Sequence, residues 1–149
     1  MRKRTGIGAA ALLLCAGAFA AQTHIGLAAD WRFRPDPGHT GVERGWHTPD
    51  FDDADWAPID AGKRWEDQGF PDVDGHAWYR ATFTPPAAWA GAEVWFTAGA
   101  LNDTGTLYCN GTRVAAFGDP DGEGMHDTPV LARLTGLLRA GEANVLAVD

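Results

Sequence analysis

Carboxylates, amides and large rings are concentrated between Trp65 and Asp74, in the run Trp65-Glu66-Asp67-Gln68-Gly69-Phe70-Pro71-Asp72-Val73-Asp74. Sugars are held by ring faces that stack on their apolar side and by amides and carboxylates that bond their hydroxyls. The run supplies both, on sequence too polar and too broken by Gly and Pro to be core. Trp65, Gln68, Asp72 and Asp74 are therefore its candidate carbohydrate contacts, and Trp46 and Phe70 are further rings in loop-like sequence. For Trp65, platform and core are equally good readings. Trp31, Trp56, Trp78 and Trp95 read as core, because most Trp in a small β-sandwich are buried. A second acidic loop, Asp119-Pro120-Asp121-Gly122-Glu123, has similar chemistry.

Other chemistries fit less well. Glycoside hydrolysis needs two carboxyl groups across a scissile bond, and no pair stands out among Glu43, Glu66, Glu93, Glu123 and Glu142. There is no Gly-x-Ser-x-Gly elbow, no metal-ligand spacing among the five His, and no His partner assignable to a Cys. Catalysis by this chain alone is not expected. Asp72 and Asp74 could offer hard oxygens to Ca²⁺, but the run lacks the further ligands of a calcium loop, so both read as solvated turn residues. No cofactor is called for, and any metal, including a structural Ca²⁺ or Na⁺, is unassigned. Asn102-Asp103-Thr104 and Asn110-Gly111-Thr112 match the glycosylation pattern by composition, though Asn110 is better explained by its turn.

These residues need elements to hold them, and the pattern predicts strands. Apolar runs are short and bounded by Gly, Pro, Asn and Asp, which predicts an all-β sandwich. Residues 24–64 look loop-rich, with a strand near Trp31-Arg32-Phe33. Phe51 and Trp56 flank an acidic turn and plug the core. From Trp78 to Thr84 the residues alternate: Tyr79, Ala81 and Phe83 share one face, and Trp78, Arg80 and Thr82 the other. Strands follow over Glu93–Ala98, Gly105–Cys109 and Thr112–Phe117. Between the last two, Asn110-Gly111 predicts a type I′ hairpin, whose central residues need positive φ. Leu134–Leu138 predicts a helical turn, Gly141 a stop, and Asn144–Val148 a last strand.

The N-terminus has a different logic. Arg2-Lys3-Arg4 precedes a short apolar run, Ile7 to Phe19, and Ala18-Phe19-Ala20 matches a cleavage site. Residues 1–20 therefore read as an export signal, too short to anchor in a bilayer. The expected locale is secreted or periplasmic, with residues 21–149 forming one domain and no membrane association after processing. Loss of the three basic residues takes the net charge from −8 to −11. That charge disfavours nucleic acid and anionic membranes. Processing also removes Cys15, so no disulfide is expected and Cys109 reads as a small buried apolar residue. The chain stops on an apolar strand, which reads as a truncated frame or the first module of something longer.

Several segments together resemble the N-terminal sugar-binding domain of family-2 glycoside hydrolases, the β-galactosidase and β-glucuronidase group. They are Phe51-Asp52-Asp53-Ala54-Asp55-Trp56 with Pro58-Ile59; Trp65 through Trp78-Tyr79-Arg80 to Phe83; Asn102-Asp103 into Leu107-Tyr108-Cys109-Asn110-Gly111; and Leu134–Glu142 into Asn144–Val148. The resemblance implies a galactose-binding-like jelly-roll sandwich. It also implies a parent enzyme, β-galactosidase-like, whose catalytic TIM barrel is absent from this chain. In the family's galactosidases two loops of this domain reach the barrel's site. Their positions here are Gln68 to Asp74 and Asp119 or Asp121, the latter matching an Asp at a sodium and substrate site. The expected partners are a glycan or glycoside substrate and that barrel. A free-standing lectin-like module and a purely structural docking domain, of an esterase or rhamnosidase for instance, are the alternatives.

Overall fold

The computed structural model describes residues 12–16, 23–29, 31–100, 104–118 and 129–149. The chain folds into antiparallel strands in two sheets: β1 (Leu12–Ala16), β2 (Thr23–Gly26), β3 (Trp31–Pro35), β4 (Ala57–Ile59), β5 (Ala77–Phe83), β6 (Glu93–Ala100), β7 (Thr104–Cys109), β8 (Thr112–Gly118), β9 (Pro129–Arg133) and β10 (Asn144–Val148). Among the described residues one sheet has the order β2-β1-β6-β9 and the other β4-β3-β5-β10-β7-β8. This is the all-β sandwich expected. Beyond the predicted strands it contains β1, β2, β4 and β9, short segments whose composition alone does not separate them from loops.

Strand alternation builds the core. Tyr79, Ala81 and Phe83 of β5 join Trp31, Phe33, Leu107, Cys109, Leu146 and Val148 on the inner face of the six-stranded sheet. Val94, Phe96 and Ala98 of β6 and Val130 and Ala132 of β9 face them. Cys109 is fully buried and free, and burial pushes its thiol up to about 12.

The other face of β5 is also covered, which the alternation did not reveal. Trp46, Trp56, Trp78, Tyr108 and Ala147 form a second apolar cluster, with Phe51 against it. The chain between β3 and β4 folds over this face. Buried Asp36 anchors it, accepting hydrogen bonds from the backbone N–H of Thr40 and Gly41 and from Trp78 Nε1. Gly41 packs directly against the Trp78 ring, where a Cβ would clash. Trp95, expected in the core, is instead half-buried on the outward face of β6, opposite Arg133.

The hairpin behaves as its sequence demands. Asn110 has φ +48° and Gly111 +84°. The Asn110 side chain donates to Leu137 O and Asn144 Oδ1 and accepts from Val145 N–H. That amide has a structural role, as the turn reading expected. Asn102 lies outside the described residues.

The predicted export signal falls mostly outside the described residues. Its segment Leu12–Ala16 is the strand β1, paired with β2 on one side and β6 on the other. Among the described residues no helix is long and apolar enough to cross a membrane.

Candidate functional site

The loop from Trp65 to His76 joins β4 to β5 and begins with a single 3₁₀ turn, Glu66–Gln68. Gly69 ends that turn at φ +102°, a left-handed value that only glycine adopts without strain. The amides of Gln68 and Phe70 both bond the Trp65 carbonyl, and Val73 N–H bonds Phe70 O.

Three apolar side chains pin the loop. Trp65 lies under it at 9% exposure, its ring 5.5 Å from Phe33. Phe70 packs at 4.7 Å on the same Phe33 ring, and Val73 also meets the core. Burying a large aromatic contributes about 3 kcal/mol. A stacking pair adds only about 0.5–1.5 kcal/mol beyond burial. Swinging Trp65 out to meet a sugar would therefore lose more than it gains. Of its two sequence readings, this arrangement is the core one. Trp46 is buried likewise, in the outer cluster.

Gln68 is a second anchor. Its Oε1 accepts from Asp60 N–H and its Nε2 donates to the carbonyls of Asp60, Lys63 and Arg64. Its amide is committed to the loop's own backbone. Asp60 in turn carries Lys63 at 3.0 Å; that bond, then Gly62 N–H, hold its carboxyl below the usual range.

What the loop offers to solvent is acidic. Asp67, Asp72 and Asp74 are all exposed, interleaved with Gly69, Pro71 and Gly75. The buried rings fix the backbone that carries these carboxylates, so their positions are set by the core. Asp72 and Asp74 are the two sequence-predicted contacts that the fold leaves on the surface. Asp119 and Asp121 lie outside the described residues. Among the described residues no three His, Cys, Asp or Glu gather as a metal site would require.

Beneath the loop Trp65 Nε1 and Tyr79 Oη are buried without a hydrogen-bond partner, and Arg64 Nε and Glu66 Oε2 meet only each other, as an ion pair at 3.7 Å. Burial, and then the nearby Glu66 charge, drive the Tyr79 phenol well above its ordinary value. Residue types and spacing alone gave no sign of this cluster, because it forms where Tyr79 of β5 passes under Arg64, Trp65 and Glu66, 13 to 15 residues earlier in the chain.

No family model matches the chain. A β-glucuronidase of Paenibacillus borealis is 30% identical over 92 residues, which is 60% of this chain and 15% of the relative. A crystal structure of Ruminococcus gnavus β-glucuronidase matches with a TM-score of 0.63 at 25% identity, over 79% of this chain and 19% of that one. The same enzyme in complex with D-glucuronic acid matches with a TM-score of 0.66 at 22% identity, over 93% of this chain and 22% of that one. The chain thus spans about a fifth of the length of the solved structures and less of the curated relative. It matches one β-sandwich domain of family-2 glycosidases, as the sequence motifs indicated. The relatives named here are β-glucuronidases, within the β-galactosidase and β-glucuronidase group that the sequence resembles.

Proposed function

We propose that this chain is a non-catalytic accessory sandwich of an exported family-2 glycosidase whose substrates are β-glucuronides. Its loop Trp65–His76 lies beside the catalytic domain and presents Asp72 and Asp74 toward the substrate's surroundings. The observation that carries this reading is the size of the match: most of this chain superposes on about a fifth of a β-glucuronidase. The loop supports it, being held rigid by Trp65, Phe70 and Gln68 while its carboxylates remain exposed. Rigid placement of a few polar groups is what an accessory contact requires.

The test is a chimera. The matching segment of Ruminococcus gnavus β-glucuronidase is replaced by residues 12–149, which carry all the described strands, and hydrolysis of a chromogenic glucuronide is followed. We expect a cooperative melt and turnover within about tenfold of the parent, roughly 1.4 kcal/mol in barrier. A chimera that melts cooperatively but has no turnover overturns the reading. Tight glucuronide binding by the chain alone would instead favour the lectin-like alternative. For export, the intact mass of protein recovered outside the cytoplasm should correspond to residues 21–149.

A further inference from the structure

The strand β1 is the one part of the fold that export processing would take away, and it occupies an interior place. It lies between β2 and β6, pairing Leu12 with Gly26 on one side and Thr97 on the other. In register, Leu13 pairs with Phe96 and Cys15 with Val94, and the Phe96 and Val94 side chains are buried in the core. In the described structure β2 pairs with no strand but β1. Without β1, β2 and β6 would stand two strand spacings apart, about 9.6 Å, with facing rows of unpaired N–H and C=O groups. Unpaired strand edges of this kind recruit another strand.

The match to the D-glucuronic acid complex covers 93% of the chain, more than residues 21–149 make up, so it reaches into the predicted signal.

From this we infer that removal of residues 1–20 opens a strand-acceptor slot between β2 and β6. The slot takes an extended, uncharged, apolar segment of another polypeptide, running antiparallel to both strands. The inference rests on the export reading proposed above. The occupant's chemistry is read from what the slot holds now: five residues, Leu-Leu-Leu-Cys-Ala, with no charge and no proline. The β6 edge is apolar along Val94–Ala98, and its one charge, Glu93, sits at the end facing Arg133 at 3.8 Å. A charged segment would find no partner along the slot's middle. Main-chain bonds to both neighbours would supply affinity, as in strand-addition complexes.

The experiment compares the full chain retained in the cytoplasm with the exported product of the same gene. Intact mass is read first. A product that keeps residues 1–20 sinks the export reading and this inference with it, while leaving the glycosidase chimera unaffected. With the signal gone, hydrogen exchange is measured at the amides of Val94–Ala98. We expect exchange at least about 100-fold faster than in the full chain. A synthetic peptide covering residues 10–18, with lysines added beyond each end for solubility, should restore protection. The same peptide carrying Leu13→Asp should not. An exported product that is unfolded until the peptide is added also supports the inference. Protection equal to that of the full chain without peptide, whether in a monomer or through pairing of two copies, overturns it. So does failure of the peptide to restore protection.

Discussion

The Nε of Arg80 lies 2.8 Å from Oδ2 of Asp53, joining the middle of a central strand to a loop 27 residues away. Arg80 is 1% exposed. Its other nitrogens donate to the carbonyls of Trp46, Thr48 and Phe51, so one guanidinium ties down three carbonyls of the covering loop. The planar fork suits this task, since lysine could not reach three carbonyls and a carboxylate at once.

Arg80→Ala should therefore be severe. It strands a partly buried carboxylate and three carbonyls, at a cost of about 3–5 kcal/mol. Asp53→Asn keeps a hydrogen-bond acceptor and should cost about 1–2 kcal/mol. Urea denaturation midpoints of the two variants should differ in that order.

Asp36 should govern the acid limb of stability. Burial raises its carboxyl, but the N–H groups of Thr40 and Gly41, then Trp78 and the Thr40 hydroxyl, outweigh it and hold the folded value below 3.8. A depressed folded value means the stabilisation is present above the unfolded value. It is lost as pH falls from there through the folded one. Asp36→Asn should be less stable at neutral pH and show a shallower decline below about pH 4. Thermal melts from pH 7 to 2.5 would reveal it, and a parallel decline in both proteins would refute it.

Tyr79→Phe should be neutral or stabilising. The hydroxyl it removes is buried and without a partner, and such a group costs about 1–3 kcal/mol to desolvate. The ring contacts with Phe33 at 5.0 Å and Trp31 at 6.3 Å stay in place. A loss above 1 kcal/mol would show that the hydroxyl is bonded.

Cys109 should resist alkylation in the native state. Its thiol is protonated at neutral pH and fully buried. Iodoacetamide should label the peptide containing Cys109 only once denaturant unfolds the chain, as peptide mass would show.

Asp72 and Asp74 carry the functional prediction. Both are exposed, so Asp72→Asn with Asp74→Asn should alter stability by less than about 0.5 kcal/mol. In the chimera the same pair should raise the KM for glucuronide several-fold with the melt unchanged. An unaltered KM would remove these carboxylates from the site.

How much of this was legible beforehand differs from residue to residue. The Asn110-Gly111 turn was, because positive φ at two successive positions is a local demand that few residue pairs meet. The inner face of β5 was too, since alternation along a strand is a property of the backbone. Trp65 was not. A ring in a polar loop is compatible with solvent or core until something lies beneath it, and what lies beneath is Phe33, 32 residues earlier. Gln68, equally plausible as a sugar contact by type, turned out to be occupied by its neighbours' backbone.

The amino-acid sequence by itself determined the all-β class, the hairpin and the family resemblance, because each rests on short-range pattern and order. Only the tertiary structure decided which rings are buried and which carboxylates stay outside. It also decided that the second face of β5 is covered and that Leu12–Ala16 fills an interior strand position. These outcomes depend on contacts between segments far apart in the chain. Side-chain type sets what a residue can do, but burial and available partners, which are set non-locally, decide what it does.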